Sequence, residues 1–317
     1  MSTVFQLFAL FLACALPGPV RSAPTEITAE RVPEGVAVKV DGKLFAKYWV
    51  KAGCKPVVWP IVGPTGKPVT RSFPMEDQPG EDQDHLHQRS LWFTHGNVDG
   101  IDFWSELPGH GTIEHREFTR VEGGPQATIA TKNDWLGPDG RKHLEDERTL
   151  TFRADADARA LDFDITLKAN DRPVTFGDTK EGTFGIRMAA GLTVESRSHA
   201  KLGGEIVNSQ GNRNEAAWGK RVEWVDYHGA IDGQKVGVAI LSHPASFRYP
   251  TFWHVRPYGL FAANPFGQHD FVGGKSGGFT LAPGAKIRLL YRVYVHRGNE
   301  KTGRVAEQFR SYAGSTK

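Results

Sequence analysis

The chain of 317 residues has only two cysteines, Cys14 and Cys54. Cys14 falls in an apolar leader, so Cys54 alone remains after processing, and one thiol forms no internal disulfide. The fold must therefore be held by its core, and Cys54 reads as a small buried apolar residue. Beyond the leader no apolar run is long enough to cross a bilayer as a helix. Runs of basic residues are missing too. The 39 Lys and Arg are scattered among 36 Asp and Glu, leaving a formal charge of +3, which argues against nucleic acid as a partner. The chain carries no G-x-S-x-G nucleophile elbow, P-loop, dinucleotide-binding fingerprint or H-E-x-x-H zinc helix, and the enzyme classes built on those motifs drop out.

The leader runs from Val4 to Leu16 and is broken by Pro17-Gly18-Pro19. Val20-Arg21-Ser22 then offers small residues for cleavage before Ala23, although no Lys or Arg precedes the apolar run. We read residues 1–22 as a secretory signal, which places the mature protein in the periplasm or outside the cell. Residues 23–317 show no linker-like shift in composition and read as a single domain.

Glycine (36) and proline (19) are plentiful and punctuate short runs. That is the pattern of an all-β protein, with roughly fifteen to twenty strands expected. Residues 36–43 predict a strand entering a turn at Asp41-Gly42, and 44–50 its return. Residues 60–83, rich in Pro and Gly, predict a long surface loop. Leu161, Phe163, Ile165 and Leu167 alternate with polar residues, as do Ile287, Leu289, Tyr291, Val293 and Val295. Each pattern predicts a strand with one buried and one wet face. Thr112 to Val121 alternates less cleanly and predicts a rather polar strand. Val236 to Leu241 is apolar throughout. Helical spacing is scarce; the one good case is Lys301 to Ala313, where Val305, Phe309 and Tyr312 share a face. Together these predict a large two-sheet antiparallel sandwich with a short C-terminal helix.

Three stretches carry candidate chemistry. Residues 84–104 hold His85, His87 and His95 with Arg89, Trp92 and Trp104. If extended, His85, His87 and Arg89 point to one face. They suit an anionic or polyhydroxylated ligand, or a metal bound by His85, His87 and His95; the competing reading is a polar loop packed by tryptophans. Residues 177–187 crowd Asp178, Lys180, Glu181 and Arg187 at a turn between apolar strands. A lysine beside carboxylates shifts their protonation and gives acid–base capability, unless the turn is merely a solvated one. Residues 241–267 mix Trp253, His254, Arg256, Tyr258 and Asn264. Aromatic faces stack on sugar C–H surfaces while the polar groups serve hydroxyls; aromatics alone would more simply be core.

These stretches, with Ala217 to Arg221 and Trp224 to Tyr227, resemble the PmoA-like family, also described as DUF6807, over residues 85–300. The family's first motif commonly reads His-Pro-His-His or similar, whereas Leu86 and Gln88 stand here at its second and fourth positions. The methane-oxygenase name implies a membrane subunit with several spanning helices, which this sequence lacks. The resemblance instead implies an exported all-β protein of polysaccharide-degrading bacteria, with an architecture similar to the galactose-mutarotase-like sandwich. In such proteins histidines act as acids and a carboxylate as base on a sugar.

The expectation is a carbohydrate-active enzyme performing epimerisation, elimination or hydrolysis on a small-molecule or oligosaccharide ligand without a cofactor. Glu181 would be the base, with Asp178 and Lys180 setting its charge. His87, His95 and His254 would donate protons. Arg89, Arg187, Arg256 and Asn264 would position the ligand, and Trp92, Trp253 and Tyr258 would stack on it. The alternatives are a non-catalytic carbohydrate-binding module and a histidine-ligated metal-dependent oxygenase or hydrolase.

Overall fold

The computed structural model describes residues 25–315; the expected leader and Cys14 lie outside them. Strands and helices are numbered in chain order. One eight-stranded antiparallel sheet runs β1 (Ile27–Val32), β2 (Gly35–Val40), β3 (Lys43–Ala52), β4 (Lys55–Ile61), β5 (Leu91–His95), β11 (Gly182–Arg187), β16 (Leu260–Asn264), β15 (Phe252–Val255). The other runs β12 (Glu205–Asn208), β13 (Trp224–Ile231), β14 (Gln234–Ser242), β18 (Lys286–Arg297), β9 (Ala158–Ala169), β8 (Lys142–Ala154), β7 (Ala127–Leu136), β6 (Thr112–Glu122). A short ribbon pairs β10 (Val174–Phe176) with β17 (Phe279–Leu281). Among the described residues the α-helices are α1 (Gln268–Val272) and α2 (Val305–Ala313), with two short 3-10 turns at Ala190–Leu192 and Asn214–Ala217.

The two alternating segments of the sequence are direct partners. Leu161, Phe163, Ile165 and Leu167 of β9 sit opposite Val293, Tyr291, Leu289 and Ile287 of β18. All eight side chains are buried in one core that joins both sheets. Each buried side chain of this kind contributes about 1.5–3 kcal/mol relative to exposure. On the outer face Asp164 meets Arg288 in solvent, while Asp162 is buried and meets Arg292, which lies over the Tyr312 ring of α2.

The apolar run of β14 has a different cause: it is covered on both faces. Val236, Val238 and Ile240 face the main core, while Ala239 and Leu241 pack with Val305 and Tyr312 of α2. Helix α2 starts at Val305 rather than at Lys301. The preceding residues form a turn in which the Asn299 side chain accepts the Lys301 and Thr302 amides. The polar strand β6 is an edge strand, with most of its side chains wet. The turn between β2 and β3 places Asp41 and Gly42 at φ 49° and 77°, both left-handed, as a tight hairpin requires.

The loop joining β4 to β5 covers residues 62–90 and lies on the outer face of the first sheet. There Trp92 of β5 packs against Trp104, with ring centroids 5.1 Å apart. Gly185 lies opposite Trp92, and a Cβ there would come within 2.6 Å of the Trp92 ring. Glycine at this position therefore lets the indole lie flat on the sheet.

Candidate active site

Strands β5, β11, β16 and β15 are neighbours, so the three stretches singled out above come together on one part of the first sheet. Strand alternation then sorts their side chains by face. Trp92, Arg187, Leu260, Ala262 and His254 belong to the outer face. Phe93, His95, Phe184, Trp253 and Ala263 belong to the inner one.

The outer face is organised by Asp84. Its Oδ1 accepts from Arg71 Nη1 at 2.7 Å and Arg187 Nη2 at 2.8 Å, and its Oδ2 meets Arg197 Nε at 3.2 Å and His85 Nδ1. Burial alone would raise this carboxyl. The His85 hydrogen bond and the Arg187 and Arg71 charges outweigh it and hold Asp84 far below the usual carboxylate range. Arg71 is buried and fully engaged. It also donates to the carbonyls of Phe73, Asp82, Asp84, His85 and Gln88, and so fixes the loop that carries His85. Gln88, at the departure from the family motif, is buried and accepts from Arg187 at 2.5 Å.

His85 is thus held at one ring nitrogen, and among the described residues no hydrogen bond reaches its Nε2. Its ring stacks on Tyr258 at 5.8 Å and meets the His87 ring edge-on at 5.4 Å. His87 is pushed down to about 4 by burial, helped by the Lys55 and His85 charges, and is neutral at pH 7. Tyr258 is also faced by Arg187 and Arg197 at 4.7 and 4.5 Å. Protein groups, not free space, pack on its ring.

Glu181 keeps 37% of its side chain exposed, and Lys180 Nζ lies 3.8 Å from it. Burial raises its carboxyl against the charges of Lys180, His85 and Arg256. A cleft lined by Arg71, Arg187, Thr193, Ser196, Leu202 and Tyr258 opens on the far side of Arg187, and neither Glu181 nor His85 lines it.

His254 is buried beside this group with both ring nitrogens occupied. Nδ1 donates to the Lys180 carbonyl at 2.9 Å, and Nε2 accepts from Arg256 Nε at 3.1 Å. Burial and the Arg256 charge push it down to about 3. It orients Arg256, and its one N–H is held on the Lys180 carbonyl and not turned to a ligand, contrary to the role expected from sequence.

His95 is corrected more fully. It is on the inner face, fully buried, with Nε2 on the Gly177 carbonyl at 2.8 Å and its ring against Phe176 and Phe266. It does not reach the outer face, and burial pushes it down to about 4. The metal set His85, His87 and His95 is therefore split by the sheet. Among the described residues no group of three or more His, Cys, Asp or Glu is placed to hold a metal ion.

Other expected ligand contacts are structural. Trp253 is in the core, with Nε1 on the Val222 carbonyl at 2.9 Å, and Trp92 is buried under Trp104. Neither offers a face to a ligand. Asn264 ties its own turn by accepting the Phe266 and Gly267 amides and donating to the Thr179 carbonyl. Asp178 accepts the His269 and Gly277 amides at α1. Arg89 turns away to Glu106, which it meets through Nε and Nη2 at 3.2 and 3.0 Å. Glu106 also pairs with the fully buried Lys55 at 2.6 Å. Burial would raise Glu106, but Arg89 and Lys55 bring it down to about 2. Residues 85–89 are not extended: His85 has φ 48°, and the Gln88 amide bonds back to the His85 carbonyl. That turn is why Arg89 leaves the histidines.

Sequence reasoning missed Asp84 as the anchor, Arg71, Arg197, Lys55 and Glu106. The only local signal was Asp84 beside His85, because the other partners are distant in the chain.

The fold and site define an all-β two-sheet sandwich with a charged, histidine-bearing surface on the outer face of one sheet. The chain belongs to the family of unknown function DUF6807, whose model matches residues 35–310. Solved structures with a similar course include a galactose mutarotase-like protein from Lactobacillus casei (8% identity, TM-score 0.41, 85% of this chain and 100% of that one). A galactose mutarotase related enzyme from Lactobacillus acidophilus is another (12%, 0.36, 79% and 97%). An α-galactosidase from Lactobacillus brevis is a third (9%, 0.37, 90% and 41%), so the chain spans about two fifths of that protein. No curated protein matches the chain.

Proposed function

We propose that this protein is an exported, carbohydrate-active enzyme that moves protons on a sugar ring. Glu181 acts as base and His85, anchored by Asp84, as acid. The observation that carries this reading is the pairing of two unlike groups at one surface. Glu181 is a carboxyl raised by burial yet still partly exposed. His85 has one nitrogen fixed on a carboxylate and the other unbonded within the described residues. A carboxyl and an imidazole that face one surface can supply the base and the acid of general acid–base catalysis. Lys180 and Arg256 beside Glu181 supply donors for hydroxyls.

The test is incubation with a panel of neutral and acidic oligosaccharides, with products followed by NMR and mass spectrometry. Turnover that disappears in Glu181→Gln and His85→Gln, at an unchanged melting temperature, supports the reading. Binding without product after long incubation identifies a binding module instead. Turnover that survives Glu181→Gln removes the base assignment.

A further inference from the structure

Arg256 is held on two sides and left open on a third. Its Nε donates to His254 Nε2 at 3.1 Å, and its guanidinium lies over the Trp218 ring at 5.3 Å. The His254 tautomer that accepts this bond is itself set, because Nδ1 donates to the Lys180 carbonyl at 2.9 Å. Among the described residues nothing accepts a hydrogen bond from the two terminal nitrogens of Arg256. A positioned guanidinium with a free fork matches a planar carboxylate, which takes two parallel N–H bonds. Its neighbours add positive charge. The Lys180 side chain is 41% exposed, and Arg197 lies over Tyr258, which also feels the charges of Arg187, Arg256 and Glu181. The opposing carboxylates are Glu181 itself, Asp102, which acts on Glu181, and Asp84, already shared by Arg71, Arg187 and Arg197.

We infer that the ligand is an acidic sugar, a uronate, whose carboxylate docks on the Arg256 fork with Lys180 beside it. This rests on the acid–base reading of the same surface and gives Glu181 a reason to be there. When a carboxylate is bound to a guanidinium, the C–H bond next to it breaks more easily. The proton passes to Glu181, and the bond's electron pair is delocalised onto carboxylate oxygens that face positive charge.

The experiment is calorimetric binding of oligogalacturonate and glucuronate, against galactose and cello-oligosaccharides, to the full-length protein and to Arg256→Gln and Arg256→Lys. The inference predicts preference for the acidic probes and binding that weakens with added salt. It predicts about a ten- to hundredfold loss in Arg256→Gln, with a smaller loss in Arg256→Lys, which keeps the charge without the fork. Thermal melts of both variants confirm folding. Equal affinity for neutral and acidic probes, no binding of either acidic probe, or unchanged binding in a folded Arg256→Gln overturns it. Turnover of neutral sugars that needs Glu181 but not Arg256 overturns the inference and leaves the acid–base reading standing. Arg256-dependent uronate binding with no turnover of any sugar does the reverse.

Discussion

Asp84 and His85 are consecutive in the chain, and the carboxylate of the first holds Nδ1 of the second. The same carboxylate is shared by Arg71 and Arg187, both buried. Replacing Asp84 with Asn leaves two guanidiniums without their anion. Breaking a buried pair in this way costs about 3–5 kcal/mol. We expect Asp84→Asn to lower the unfolding free energy by that order, and any turnover to fall further than the loss of folded protein explains. Urea melts alongside activity per folded molecule check both.

Glu106 gives a second, independent case. It is the only acidic partner of the fully buried Lys55 among the described residues, and it also binds Arg89. Glu106→Gln is expected to destabilise by about 3–5 kcal/mol. Because its folded value is depressed to about 2, its contribution is complete above the unfolded carboxylate range near 4 and fades as pH falls towards 2. Melts from pH 5 downwards, in wild type and variant, should converge at the acid end.

The buried histidines shift the onset of acid sensitivity upwards. His95 and His254 are pushed down to about 4 and about 3, while an unfolded histidine titrates near 6.5. Between these limits the unfolded state binds more protons, so stability falls as pH drops below 6.5, by up to about 1.4 kcal/mol per pH unit for each group. His254→Asn should flatten that slope by up to one proton. An unchanged slope would mean that His254 is not neutral in the folded protein.

His95→Ala separates the face assignment from the chemistry. A fully buried ring on the core side leaves a cavity when truncated, and we expect a loss of about 2–4 kcal/mol by analogy with other large-to-small core changes. A stable His95→Ala protein that has lost turnover would return His95 to the active surface.

Much of the fold was legible because burial writes itself as period-two alternation. β9 and β18 were readable for that reason, and they proved to be partners. The α2 face was readable at helical spacing, but its first residue was not, since a side-chain-capped turn replaced the first turn of helix. The site was legible only as stretches. Composition showed that residues 84–104, 177–187 and 241–267 are rich in useful groups. It did not show which face of β5 His95 takes, because one residue of register decides that. The ion pairs Lys55–Glu106 and Arg71–Asp84 join distant positions through the fold, and no local pattern announces them.

The wet edge strand β6 carries a consequence for crowded solutions. Its edge carries the exposed side chains of Glu114, Arg116, Glu117, Arg120 and Glu122, beyond Ile113, whose amide is already bonded to the Cys54 carbonyl. Two molecules approaching edge to edge must bring these charges together and strip their water before any ladder can form. The strand that completes the sheet thus also discourages its extension into a fibre.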